Sequence, residues 1–147
     1  MAFFICPNCK ERSIDTDAQE GFSKQAPACR RCGFGFLFEL LEDYYPAPTT
    51  GLVVCDKKAR VLAVGRGVFE LSGYRERDLL GHDVVEAFGL SGFDGQSPAA
   101  TALEWGVRRL GQKLELRTRS GSQKRVTADF FPAYDVDGGL LVALTPR

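Results

Sequence analysis

The chain has a single histidine, His82. Its neighbours Gly81 and Asp83 place it in a turn, away from any nucleophile. Catalysis by a histidine base therefore lacks a partner, and haem lacks a histidine axial ligand held on a helix. No glycine loop of the phosphate-cradling kind is present, and the aspartates of YDVDGG sit in a turn, where aspartates are common. An enzyme is not expected. No apolar run approaches the roughly 18 residues that a membrane-crossing helix needs, and MAFFICPNCK lacks the basic segment, long apolar core and cleavage site of a secretory signal. These absences give the expectation of a cytoplasmic protein with no membrane partner. Net charge is missing too, with 19 basic against 19 acidic residues. Nothing attracts the whole chain to nucleic acid or anionic lipid.

What is present is uneven. The 147 residues, 44% hydrophobic and 26% charged, suit one ordinary domain, or a very small one joined to a domain of about 100 residues. Four of the five cysteines form two C-x-x-C pairs, Cys6 with Cys9 and Cys29 with Cys32, separated by 19 residues. In a reducing compartment such pairs hold a metal or do redox chemistry more readily than they form disulfides. Two C-x-x-C turns brought together make a tetrahedral four-thiolate cage with sulfurs about 2.3 Å from a zinc ion. Four thiolates leave no open coordination position, so the zinc is expected to be structural. A segment of about 40 residues buries too little surface to fold alone, and zinc binding supplies roughly 10 to 16 kcal/mol that becomes folding energy. A redox dithiol and disulfides are the alternatives for the same four residues.

Ile5, Cys6, Pro7, Asn8 and Cys9, then SIDTDAQEG, then Cys29, Arg30, Arg31, Cys32, Gly33 and Phe34 resemble the small bacterial zinc ribbons of C-P-x-C and C-x-x-C-G type. Lys10 departs from them, since many such knuckles have glycine there for a positive φ. Zinc ribbons often bind nucleic acid, but residues 1–40 balance five basic residues with five acidic ones. Contact with protein or a purely structural role is expected instead.

Residues 38–45 read as a short helix that stops at Pro46, and Pro48 follows. Phe38, Leu40, Leu41, Tyr44 and Tyr45 give this connector an apolar face, expected to pack on the following domain or to form a dimer contact. Beyond it, apolar runs at 52–55 and 61–64 flank the polar turn 56–60 as a hairpin. Helices are expected at 67–72 and 76–80, punctuated by Gly73 and Gly81, and a longer one from Ser97 or Pro98 to Leu110. Ser97 would be its N-cap, and Ala102, Leu103, Trp105 and Leu110 its apolar positions. Trp105 is expected in the core. Period-two strands follow, with Leu114, Leu116 and Thr118, then Val126, Ala128 and Phe130, then Leu140, Val142 and Leu144 on their apolar sides. A turn at 137–139 precedes the last of them.

That order, with VVCD and VFELSGYRERDLLG, resembles the PAS domain, a sensory module with a five-stranded antiparallel sheet and helices enclosing a pocket. The matching positions are Asp56, Phe69, Leu71, Gly73, Tyr74, Leu79, Leu80, Gly81 and Gly121. Many PAS domains place an asparagine after the second strand, where this chain has Gly65. The resemblance implies a sensor whose ligand is unknown, with haem, flavin, another small molecule or none as the choices. GHDVVEAFGL has no cysteine for a flavin adduct. Cys55 reads as a small buried hydrophobe.

The expectation is thus an α+β chain: a β-rich zinc ribbon over residues 1–40, a connector over 41–49, and a PAS-like domain over 50–147. The two parts draw on separate sources of stability. Function is read as that of a non-catalytic signalling adaptor, a PAS-type sensor or protein-interaction module with structural zinc. It is expected to carry no output domain of its own and to act through a protein partner or a homodimer. A basic cluster of Arg108, Arg109, Lys113, Arg117, Arg119, Lys124 and Arg125 is the candidate partner surface. The second reading is a transcription-associated protein that touches nucleic acid through the ribbon or this hairpin.

Overall fold

The computed structural model describes residues 2–15, 29, 31–35, 37–40, 44–133 and 139–147. At the front, β1 (Ala2–Ile5), β2 (Arg12–Asp15) and β3 (Phe38–Leu40) form an antiparallel sheet in the order β2-β1-β3. The expected helix over 38–45 is therefore corrected: Phe38–Leu40 is a strand, and Tyr44 and Tyr45 lie in no helix. Phe38 pairs with Ile5 and Glu39 with Phe4, so a long-range ladder overrides the local preference. Residues 41–43 lie outside the described residues.

The second part begins with β4 (Gly51–Cys55) and β5 (Val61–Val64). Asp56 shapes their turn by accepting from the N–H groups of Lys58 and Arg60 at 2.8 and 3.0 Å. Three short helices follow, α1 (Val68–Ser72), α2 (Glu76–Leu79) and α3 (Val84–Phe88). The sequence reading had no α3. Its signals are Asp83, whose carboxylate accepts from Val85 and Glu86 N–H, and Gly89, which ends it in the left-handed region.

Helix α4 (Pro98–Trp105) starts as expected, with Ser97 accepting from Ala100 N–H. It stops five residues short of Leu110, because Gly106 takes φ 63° and closes the helix on Ala102 O. Trp105 and Leu110 are consequently not core residues, being 69% and 44% exposed. Strands β6 (Arg109–Arg117), β7 (Gln123–Pro132) and β8 (Leu140–Pro146) complete a five-stranded antiparallel sheet in the order β5-β4-β8-β7-β6. Of the turn expected at 137–139, only Gly139 is among the described residues.

Both faces of this sheet are covered. Toward the helices, Val53, Leu116, Val126, Phe130, Leu140 and Val142 pack with Leu79, Phe88 and Ala102 of α2, α3 and α4. On the opposite face Leu52, Val54, Ala63, Phe131, Leu141 and Ala143 form a second buried cluster with Ile5 of β1, and Phe34, Phe38 and Tyr44 pack against it. The front sheet and the connector thus lie on the back of the larger sheet.

Candidate metal centre

Cys6 and Cys9 flank the turn between β1 and β2, and Cys29 and Cys32 flank a second turn of the same form. In the first, Cys6 N–H donates to Glu11 O at 3.0 Å and Lys10 N–H to Cys6 O at 2.8 Å. In the second, Cys29 N–H donates to Phe34 O at 2.8 Å and Gly33 N–H to Cys29 O at 2.9 Å. The two knuckles are local copies, with Lys10 and Gly33 at the equivalent left-handed position, φ 62° and 79°.

The four sulfurs lie within 4.8 Å of one another. Cys6 Sγ is 3.6 Å from Cys32 Sγ, and Cys9 Sγ is 3.7 Å from Cys29 Sγ. A disulfide needs about 2.05 Å, whereas thiolates 2.3 Å from a tetrahedral zinc lie about 3.8 Å apart. The four residues read as ligands from the spacing are brought together, and these two pairs stand close to the separation that such an ion requires.

The thiols differ in environment. Burial pushes Cys6 up to about 12, and Cys9 is also raised, first by burial. Cys32 is brought down to about 6, chiefly by the Asn8 side-chain amide, whose nitrogen lies 3.6 Å from its sulfur. Cys32 is thus more ready than Cys6 or Cys9 to meet a cation as thiolate.

Asn8 also ties the knuckle to the larger sheet. Its Oδ1 accepts from Arg66 N–H at 3.1 Å. Beside it, Gly65 answers the departure from the asparagine that many PAS domains have there. A Cβ at Gly65 would stand 1.8 Å from Pro7 O and 2.7 Å from Pro7 C. Only glycine lets the knuckle come this close.

The connector makes a further tie. The Tyr44 ring meets Phe131 edge to face with centroids 4.8 Å apart, and its hydroxyl donates to Asp129 Oδ2 at 2.7 Å. Burial pushes the Tyr44 hydroxyl pKa up, and Asp129 adds to the shift, so the group is a neutral donor. Tyr44→Phe keeps the ring contact and loses this bond. It should lower stability by about 1 to 2 kcal/mol, measured by denaturant unfolding with unchanged zinc content. Tyr45, by contrast, is exposed, with the Arg12 guanidinium 4.1 Å over its ring.

The seven basic candidates do not form one surface. Lys113, Arg117 and Arg125 are exposed on β6 and β7, where Glu115 pairs with Arg125 in register. Arg119 stands 3.4 Å from Asp78. Lys124 turns away to donate to Leu71 O at 3.1 Å. Arg109 opens β6 opposite Phe130, and Arg108 precedes it. His82 is exposed in its turn. Cys55 is buried, and burial raises its thiol, which fits an inert core thiol.

Taken together, a five-stranded antiparallel sheet with helices on one face and a four-cysteine ribbon on the other defines an α+β protein of PAS fold. Comparison with solved structures agrees. The chain is similar to the PAS domain of nitrogen regulation protein NR(II) from Vibrio parahaemolyticus, with TM-score 0.56, 11% identity, and 68% of this chain and 91% of that one covered. It is similar to the PAS domain of an HTR-like protein from Haloarcula marismortui, with TM-score 0.52, 20% identity, and 69% and 83% covered. The light-state dimer of the fungal blue-light photoreceptor Vivid gives TM-score 0.58 at 10% identity, with 71% and 82% covered. No family model and no curated protein matches the chain. Among the described residues, no helix is long and apolar enough to cross a membrane.

Proposed function

We propose that this chain is a non-catalytic regulatory module, a PAS-type sensor or protein-interaction domain whose sheet is capped by a structural zinc ribbon. Residues 1–40 form the ribbon, 41–49 the connector and 50–147 the sensor domain, with Cys6, Cys9, Cys29 and Cys32 as the zinc ligands. The observation that supports this most is the second buried cluster, in which Ile5, Phe34, Phe38 and Tyr44 meet Leu52, Phe131 and Leu141. The zinc fixes the two knuckles, and the knuckles hold an apolar cap on a sheet face that would otherwise be wet. Output passes to a protein partner or a second copy of the chain, with Lys113, Arg117 and Arg125 available for an acidic partner.

Native mass spectrometry of the protein from its own host tests the reading. One zinc per chain is expected, with none retained by Cys29→Ser. Metal-free protein with an ordered ribbon overturns the zinc assignment. A colourless solution is also expected, and haem or flavin absorption bands would replace this reading with that of a chromophore sensor.

A further inference from the structure

At the junction of the first knuckle, the connector and α1 lies a cleft of about 380 Å³. Pro48, Leu71 and Pro146 give it apolar walls, and Lys10, Arg66 and Lys124 line it with three cations against the single carboxylate of Glu70. Glu70 accepts from Gly67 N–H at 3.1 Å, and its charge also acts on Lys10, so the lining keeps an excess of two positive charges. The two ammonium groups are held at the walls by backbone carbonyls of cleft residues. Lys10 Nζ donates to Pro48 O at 3.0 Å and Lys124 Nζ to Leu71 O at 3.1 Å. Each ammonium has three donors and uses one of them here. No salt bridge to either lysine or to Arg66 occurs among the described residues.

Lys10 carries the argument further. It occupies the left-handed position that Gly33 fills in the copy of the same knuckle, where glycine is the residue without strain. What the lysine adds is an ammonium in the cleft.

We propose that this cleft binds a small organic anion, a carboxylate with a compact apolar body, whose charge meets Lys10, Arg66 and Lys124 and whose body covers Pro48 and Pro146 above the buried Leu71. A volume of this size suits a small molecule. The apolar walls favour a carboxylate with a hydrocarbon body over inorganic phosphate, which would leave them uncovered. The site spans ribbon and sensor domain, so an occupant ties the two together and senses whether the ribbon is seated. The inference rests on the seated ribbon proposed above.

Benzoate is the probe, with neutral benzamide and inorganic phosphate as comparisons, titrated into full-length protein under amide-resolved NMR. Saturable shifts at Gly67 and Leu71 are expected with benzoate at millimolar concentrations. Loss of the charge or of one charged partner should weaken binding about ten- to hundred-fold, so benzamide and the variants Lys10→Gly and Lys124→Gln should all bind that much less. Lys10→Gly should keep its zinc and should unfold at or above the wild-type temperature, because the strained turn is relieved. Zinc content and dispersed ribbon signals are read on the same samples. No saturable shift in zinc-loaded protein with a seated ribbon overturns the ligand proposal and leaves the ribbon reading intact. Equal binding of benzamide, tighter binding of phosphate, or unchanged binding by Lys10→Gly and Lys124→Gln overturns it as well.

Discussion

Gly65→Ala is expected to push the first knuckle away from the sheet locally while leaving its zinc in place. The added Cβ would lie 1.8 Å from Pro7 O, 2.7 Å from Pro7 C and 3.0 Å from Asn8 Cα. All three are backbone atoms, so no side-chain rotation relieves the clash. Neither side yields easily. Gly65 N–H is held by Leu52 O at 2.9 Å, and Cys6 and Cys9 fix the knuckle on either side of Pro7 and Asn8. Overpacking of a well-fitted contact costs about 1 to 3 kcal/mol, and this one belongs at the upper end or above it, because the Asn8 bond to Arg66 N–H is lost with it. Denaturant unfolding should show that loss, with zinc stoichiometry unchanged. A variant as stable as the wild type, its ribbon signals unmoved, would mean that the close approach does not exist.

Loss of the metal, by chelation or by Cys29→Ala, should have the larger effect. A ribbon of this size does not fold alone without zinc, so its front sheet melts. The larger sheet then keeps its helical side, where Val53, Leu116, Phe130 and Phe88 pack without help from the ribbon. Its other side is stripped of cover, leaving Leu52, Val54, Phe131 and Leu141 facing water. At about 25 cal/mol per Å² of apolar surface, uncovering several such side chains lowers stability by about 5 kcal/mol. Separate sources of stability, as read from the sequence, thus meet a shared apolar contact in the structure. The expected result is a folded but weakened sensor domain that binds an apolar dye and self-associates with rising concentration. An unchanged unfolding midpoint would contradict the cap. Loss of the sheet itself would contradict a boundary between 40 and 50.

Much of this was legible. Cysteine spacing pointed to the quartet that the fold brings together, because a metal cage tolerates few arrangements and the motif records them. Alternation gave β6, β7 and β8 and the helical side of the sheet. On the ribbon side the connector was expected to pack on the domain, and Phe38 and Tyr44 do so, but the sheet residues that receive them were missed for a physical reason. In β4 and in the Leu140–Leu144 part of β8 every residue is buried, and such continuous apolar runs mark strands covered on both faces. Leu141, Ala143 and Phe131 carried that signal alongside the residues assigned to the core. Helix ends failed where one glycine decided the matter, as Gly106 did for α4. The strand at 38–40 needed its distant partner β1, which no local window contains. Gly65 looked like a defect of the sensor motif until Pro7 was seen above it.

The most direct measurement is a methyl NOE spectrum of the protein with zinc and again after chelation. If a four-sulfur clamp holds the ribbon on the sheet, the Ile5 methyls show cross-peaks to methyls of Leu52, Leu141 or Ala143 with zinc bound, and these vanish when it is removed. Cross-peaks that persist in metal-free protein, or that never appear with zinc present, would contradict it.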